Sequence, residues 1–344
     1  MTSSHSPKLS ICIATFERAH FIGQTLESIG SQLTGDCEIV ILDGGSKDGT
    51  EEVVSEYVRR FPAIRYFRQE VNHGLDQDFD KAVLLARGEY CWLMSDDDFI
   101  KPGAIRHVLA LLASAPSLIV VNFECRDREM RTVVQKTFLG FDDDRRYGPE
   151  EMDRLFTDVS GVIAYIGSVI IRREIWESRE REKYFGSMFG YVGVIFQNRL
   201  PGETILVAST MVSFRSSTRH TFESRLFEVF FFKWPAVFWP SAVSEKTRMK
   251  VCPADRWRNW GLLCLYRALD LYSFAEYRRL IQPCARPGRE KWMPALIAVT
   301  PASLINGIIA AYLLVIRKPV TRYLLYLLLQ APSSPLRRQK AEFG

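Results

Sequence analysis

Two hydrophobic periodicities alternate along the first 125 residues. Short apolar runs, LSICIAT (9–15), EIVILDG (38–44), IRYFRQ (64–69), YCWLMS (90–95) and SLIVVNFEC (117–125), have the length and β-branched content of buried strands. Between the first two, apolar residues fall at helical spacing: Phe21, Ile22, Leu26, Ile29 and Leu33. Residues 75–87 and the segment AIRHVLALLAS carry further helices. Thr50 is placed to cap another, with Glu51 and Glu52 in its first turn, where they complement the helix dipole. Strand and helix alternate four times through short connections. That pattern predicts an α/β fold with a mostly parallel sheet and helices on both faces. In such sheets ligands bind beyond the carboxyl ends of the strands. Three polar clusters fall at those ends: TFER after the first strand, DGGS after the second and SDDD after the fourth.

Beyond residue 130 the alternation loosens. TVVQKTFL and ETILVASTMVSFR (203–215) have strand character, and GSVIIRREIW is a strand running into a helix. The tail differs in kind. The aromatic segment RLFEVFFFKWPAVFWP (225–240) is too short and too interrupted to span a bilayer. Residues 294–316 carry no charge over a length that matches a hydrocarbon core, although Pro301, Ser303, Asn306 and Gly307 interrupt them. Three arrangements satisfy this stretch: one imperfect span, a pair of helices lying in the membrane interface, or an apolar hairpin packed on the protein itself. The expected division is residues 1–222 as an α/β domain and 223–344 as an aromatic, basic, helical region that associates with a membrane.

Charge sharpens that division. The net charge of +5 hides +13 over residues 215–344 and −8 over the rest, and five of the seven tryptophans lie after residue 230. Basic, Trp-rich and apolar together favour an anionic cytoplasmic membrane surface as partner, and no nucleic-acid-binding motif is present. The seven cysteines show no CxxC pair and no framework spacing, which suits reduced thiols in the cytosol and argues against structural zinc. No apolar leader follows the polar N-terminal MTSSHSPK.

The chemistry centres on Asp96, Asp97 and Asp98, three carboxylates at the end of an apolar run. As anions they need a counter-charge, and a hard dication such as Mn2+ or Mg2+ would supply it while bridging to substrate phosphates. A single aspartate there would be explained as a helix cap; three in a row are not.

The segments SICIATFERAHFIGQTLESIGSQ, EIVILDGGSKDGT, NHGLDQDF and ARGEYCWLMSDDD, in this order and spacing, resemble the family 2 glycosyltransferases, and WLMSDDDF with the aromatic tail is most similar to bacterial O-antigen transferases of the abequosyltransferase type. The resemblance covers roughly residues 8–125 and implies a GT-A fold and an inverting transfer. The sugar would pass from a nucleoside-diphosphate sugar to a hydroxyl of a lipid-linked saccharide acceptor, in the synthesis of O-antigen, lipopolysaccharide or another surface polysaccharide. Carried over by position, it implies that Ala14, Thr15, Phe16 and Glu17 hold the nucleotide base and ribose. It further implies that Asp43 contacts the base, Asp96 lies near ribose and metal, and Asp97 ligates the metal with Asp98 as an added carboxylate. Asp76 and Asp78 fall near the donor in the family pattern, their alternative being exposed helix positions, and SFRSSTRHTF (213–222), with Arg215, Arg219 and His220, is either a loop over the diphosphate or a basic surface near lipid. Two departures stand out. Gly44 replaces a frequent second aspartate, and YFGSMFGYVGVIF (184–196), where a helix commonly supplies the general base, holds no acid. A nucleotidyltransferase is a weaker match, because TFERAHF is not a Gly/Lys/Arg-rich loop. The missing base leaves room for a non-catalytic, membrane-associated sugar-nucleotide binder.

Overall fold

The computed structural model describes residues 6–216, 225–316 and 321–336. The chain divides into two compact units, residues 1–216 with 237–251, and residues 217–236 with 252–344.

The first unit is built on a ten-stranded sheet. Strands β1 (Leu9–Thr15), β2 (Cys37–Asp43), β3 (Ile64–Arg68) and β4 (Tyr90–Met94) are parallel and lie in the order β3-β2-β1-β4. Every residue of β1, β2 and β4 is buried, as strands covered on both faces require. Helices α1 (Ile22–Gly30), α2 (Thr50–Arg60) and α3 (Leu75–Leu85) connect these strands, and α4 (Ala104–Leu111) follows the short β5 (Phe99–Ile100). Thr50 is the first residue of α2 and not its cap. Gly49, at φ 90°, precedes it.

The fifth long strand of the sequence, β6 (Leu118–Arg126), does not lie beside β4. After β7 (Val133–Gln135), β8 (Arg145–Tyr147) and α5 (Met152–Val159), the chain returns as β9 (Val169–Arg172) between them, antiparallel to both. The β9 run VIIR is apolar enough to be sealed in this position, and the preceding turn accepts the Trp92 indole N–H at the Gly167 carbonyl, 2.9 Å away. Helices α6 (Arg173–Glu177) and α7 (Gly190–Phe196) follow, then β10 (Thr204–Arg215), which runs parallel to β6 and brings Arg215 back to the carboxyl edge of the sheet.

The described remainder is helical: α8 (Leu226–Glu228), a π-helical turn Val229–Lys233, α9 (Trp234–Phe238), α10 (Glu245–Val251), α11 (Trp260–Ala268), α12 (Phe274–Glu276), α13 (Arg289–Val299), α14 (Ala302–Ile316) and α15 (Arg322–Gln330). The aromatic run before residue 237 contributes two residues to a core. Phe227 and Phe231 are buried with Trp257, Leu263, Tyr272 and Tyr277 inside the second unit. No single helix among the described residues is long and apolar enough to cross a membrane. The uncharged stretch 294–316 breaks, with α13 and α14 meeting at 90°. The proline at 301 ends one helix and permits the next to start in a new direction.

One tight position holds the ligand-side loops. Gly45 has φ 85°, and a Cβ there would lie 2.9 Å from the Gln69 carbonyl oxygen. Gly45→Ala is therefore expected to cost about 1–3 kcal/mol in a denaturant titration. A loss within 0.3 kcal/mol of zero, roughly the experimental error, would show that the loop relaxes freely.

Candidate active site

Parallel pairing puts Thr15 beside Asp43, so the loops after β1 and β2 start side by side. Three backbone N–H groups of the first loop are held by side chains of the second. Glu17 donates to Ser46 Oγ (2.8 Å), Arg18 to Thr50 Oγ1 (2.9 Å) and Ala19 to Asp48 Oδ2 (3.1 Å). These bonds keep Glu17 at φ 56°, a left-handed conformation that a residue other than glycine adopts only under constraint. Ala14 and Thr15 are buried beneath the loop, while the Phe16 ring is 41 % exposed and free to stack on a flat ligand.

Asp43 departs from the expectation of a direct base contact. Its side chain is fully enclosed. Oδ1 accepts the Ser46 N–H (2.8 Å) and hydroxyl (2.7 Å), and Oδ2 accepts the Tyr66 hydroxyl (2.6 Å). Burial and the Asp43 carboxylate together hold the Tyr66 phenol well above its usual range. Asp43 thus positions Ser46, and through it the backbone of Glu17.

Helix α3 presents two aspartates to different neighbours. Asp76 does not face the base pocket: it accepts the N–H groups of Met188 (2.8 Å) and Gly190 (2.9 Å), at the start of α7. The helix without an acid therefore has a carboxylate at its first turn, delivered from α3. Asp78 instead lies against Gly44. A Cβ on Gly44 would sit 3.2 Å from Asn72 Cγ, 3.3 Å from Asp78 Oδ2 and 3.4 Å from the Phe16 ring. A side chain at position 44, just after β2, would have to push these groups aside by a few tenths of an ångström, and a carboxylate reaches the same place from α3. Burial raises the Asp78 pKa, opposed by the hydrogen bond from Gln69 at 2.7 Å and the charges of His73 and Lys81.

The acidic loop after β4 is held from below. Asp98 is not oriented as a metal ligand. Its Oδ2 accepts the Tyr165 hydroxyl and its Oδ1 the Arg215 backbone N–H, each at 2.6 Å. Arg215 is likewise no exposed diphosphate clamp. Its guanidinium donates to the carbonyls of Asp97 (2.8 Å) and Arg128 (2.7 Å) and to Gln24 Oε1 (2.9 Å), between the rings of Phe21 and Phe99. Arg219 and His220 lie outside the described residues.

Asp96 and Asp97 stand at the carboxyl end of β4 beside Arg18 and Ser95. Arg18 Nε lies 3.3 Å from Asp96, and the Ser95 hydroxyl donates to Asp97 at 2.5 Å. Burial first, then the adjacent Asp97 charge, push the Asp96 carboxyl up to about 7, against the pull of Arg18. Two adjacent carboxylates offer hard oxygen donors that suit Mn2+ or Mg2+. Among the described residues no three His, Cys, Asp or Glu side chains form a metal-ligating group. Two carboxylates with phosphate oxygens completing the shell is the usual way such an ion is held beside a nucleotide.

Residues 10–178 match the model of glycosyl transferase family 2. This region is a family 2 glycosyltransferase domain. The abequosyltransferase RfbV of Salmonella typhimurium is 30 % identical over 200 residues, which are 54 % of this chain and 60 % of that protein. A GalNAc(5)-diNAcBac-PP-undecaprenol β-1,3-glucosyltransferase of Campylobacter jejuni is 32 % identical over 100 residues, 29 % of this chain and 32 % of its own. The chain thus spans less than two thirds of the length of these relatives. The S. aureus TarS 1–349 structure in complex with UDP superposes with a TM-score of 0.57 at 14 % identity, covering 97 % of this chain and 92 % of that one. A mannosyltransferase from Pyrobaculum calidifontis, in complex with GDP-Man and Mn2+, gives 0.53 at 14 % identity, covering 94 % and 86 %. At that identity these two structures establish the GT-A-like fold of the glycosyltransferase domain.

Tyr165, Ser46, Tyr66 and Gln24 were not foreseen from the sequence. No spacing rule links residue 165 to residue 98 or residue 24 to residue 215. Ser46, three residues after Asp43, carried a usable signal, because an aspartate commonly caps a turn two or three residues on. If Asp78 and not Asp76 faces the ligand, Asp78→Asn should weaken nucleoside-diphosphate binding about tenfold, the scale of a charge-assisted bond. Asp76→Asn should leave it within about twofold. Calorimetry giving the reverse order would refute the assignment.

Proposed function

We propose that this family 2 domain transfers a sugar from a nucleoside diphosphate to a hydroxyl of a lipid-linked saccharide, with inversion at the anomeric carbon. The observation that carries the reading is the buried Asp96–Asp97 pair at the carboxyl end of β4, beside a tethered loop with an exposed aromatic ring. Similar proteins support it: one relative acts on an undecaprenol-linked saccharide, and structural neighbours hold UDP or GDP-mannose.

In this scheme Phe16 stacks on the base, and the Glu17 loop, fixed through Ser46 and Asp43, shapes the ribose pocket. Asp78 offers a buried carboxylate beside it. Asp96 and Asp97 would hold Mn2+ or Mg2+, which when bound stabilises the negative charge gathering on the departing diphosphate. Arg18, paired with Asp96, adds positive charge to the same loop. The acceptor oxygen attacks the anomeric carbon as the bond to the diphosphate breaks, and the hydroxyl proton passes to a base. Next to the acidic loop, the half-buried rings of Tyr165 and Phe214 pack edge-on at 5.2 Å and offer an apolar wall against which the C–H face of an acceptor sugar can rest.

The test is donor turnover with UDP-, GDP-, CDP- and TDP-sugars and a membrane extract, with and without Mn2+. Metal-dependent release of one nucleoside diphosphate is expected, and Asp97→Asn should lower it by about 100-fold or more, as loss of charge stabilisation in a transition state does. Full activity in that variant, or in the presence of a chelator, would overturn the role of the pair.

A pH dependence follows. The folded-state pKa of Asp96, at about 7, lies above its unfolded value near 3.9. The folded state therefore binds the extra proton. The stability this provides is present at acid pH and is lost as pH rises through about 7. Melting temperature without divalent ions should fall across that window, and Mn2+ with nucleoside diphosphate should restore it at pH 8 but not at pH 5. Asp96→Asn should flatten the profile; an unchanged profile in that variant would assign the titration elsewhere.

A further inference from the structure

Helix α14 reverses the arrangement expected of a helix in water. Its buried stripe is Ala302, Asn306, Ala310 and Leu313. Its opposite stripe, at the same helical spacing, is Leu304, Ile308, Tyr312 and Val315, which are 56 to 83 % exposed. The more apolar face is the one turned outward, whereas a soluble amphipathic helix turns it inward. The inner face is sealed: the Asn306 amide donates to the carbonyls of Ala268 on α11 and Leu328 on α15, both at 2.9 Å. Helix α13 repeats the pattern. Pro294, Ile297 and Ala298 are buried, while Trp292, Leu296 and Val299 are 51 to 59 % exposed. The exposed apolar positions thus run through two consecutive helices joined at a 90° corner.

Charge at the entrance of this corner identifies what covers it. Arg286, Arg289 and Lys291 are exposed around Trp292, and the nearby acid, Glu290, pairs with Arg258 at 3.4 Å. Arg317 and Lys318 follow α14 in the sequence, outside the described residues. A tryptophan with basic residues at one end of an apolar helix matches the headgroup level of an anionic bilayer. A protein partner would be expected to meet an apolar patch with a mixed polar rim.

We infer that the α13–α14 corner inserts into one leaflet of an anionic membrane, lying in the interface without crossing it. Ile308, Tyr312 and Val315 reach the acyl boundary, and Arg286, Arg289 and Lys291 meet lipid phosphates. Phe227 and Phe231 stay in the protein core. The inference does not depend on what the acceptor is, because it concerns helices of the second unit alone.

Flotation of the full chain with phosphatidylcholine vesicles, alone or with phosphatidylglycerol, tests it. The full chain should float, and more so with the anionic lipid. Ile308→Ser with Val315→Ser, both exposed positions, should lower partition at least about tenfold. Arg286→Gln with Lys291→Gln should remove the preference for anionic vesicles and its salt sensitivity while retaining part of the binding. Equal partition of the Ile308/Val315 variant and the native chain overturns the inference. So does a native chain that never floats but sediments as a dimer which this variant dissolves, since a second copy would then cover the face.

Discussion

Three adjacent carboxylates at a buried strand end are the constraint around which the first unit is organised. Their repulsion and desolvation have to be offset by donors from elsewhere in the chain. Arg215 provides them: its backbone N–H binds the Asp98 carboxylate and its guanidinium binds the Asp97 carbonyl, Gln24 and the carbonyl of Arg128. Burial lowers the affinity of this guanidinium for its proton, and the charges of Asp97 and Asp98 oppose that effect. The flanking rings of Phe21 and Phe99 exclude water while leaving favourable cation–π contacts. With Tyr165 completing Asp98, one carboxylate of the loop is held by donors from another strand and a turn.

A division of labour between carboxylates recurs through the site. Asp43, Asp76 and Asp98 are anchors whose oxygens are taken by backbone N–H groups and hydroxyls. Asp96 and Asp97 lie at the carboxyl end of β4 beside Arg18 and Ser95, and Asp78 lies buried against Gly44. Anchors are what make the functional groups stiff. A loop held by the Asp43–Ser46–Glu17 relay does not need to be ordered by the ligand, so less binding free energy is lost on association.

The second unit is built on a different principle. Its aromatic residues form a core of their own, and a buried polar side chain, Asn306, fixes the packing of α14 on α11 and α15. With the inner face held by small residues and one amide, the large aliphatic side chains remain for the outside. The second unit thus combines a compact aromatic core with an outward apolar corner, a combination that uniform hydropathy along residues 294–316 does not reveal.

The sequence by itself determined the strand–helix alternation, the mostly parallel character of the sheet and the placing of TFER, DGGS and SDDD at like strand ends. Period, length and turn residues are local properties, and the carboxyl ends of parallel strands share an edge by geometry. It also marked Asp96, Asp97 and Asp98 as one cluster, because charge after an apolar run has few explanations. Tertiary structure alone decided that β9 separates β4 from β6, that Asp98 and Arg215 brace each other, and that Asp78 lies against Gly44. Each joins residues far apart in sequence, and a side chain's partner across the fold follows from packing and not from spacing. The same holds for the tail. Apolar content was legible at once, but which face of α14 is sealed depended on where an asparagine found two carbonyls.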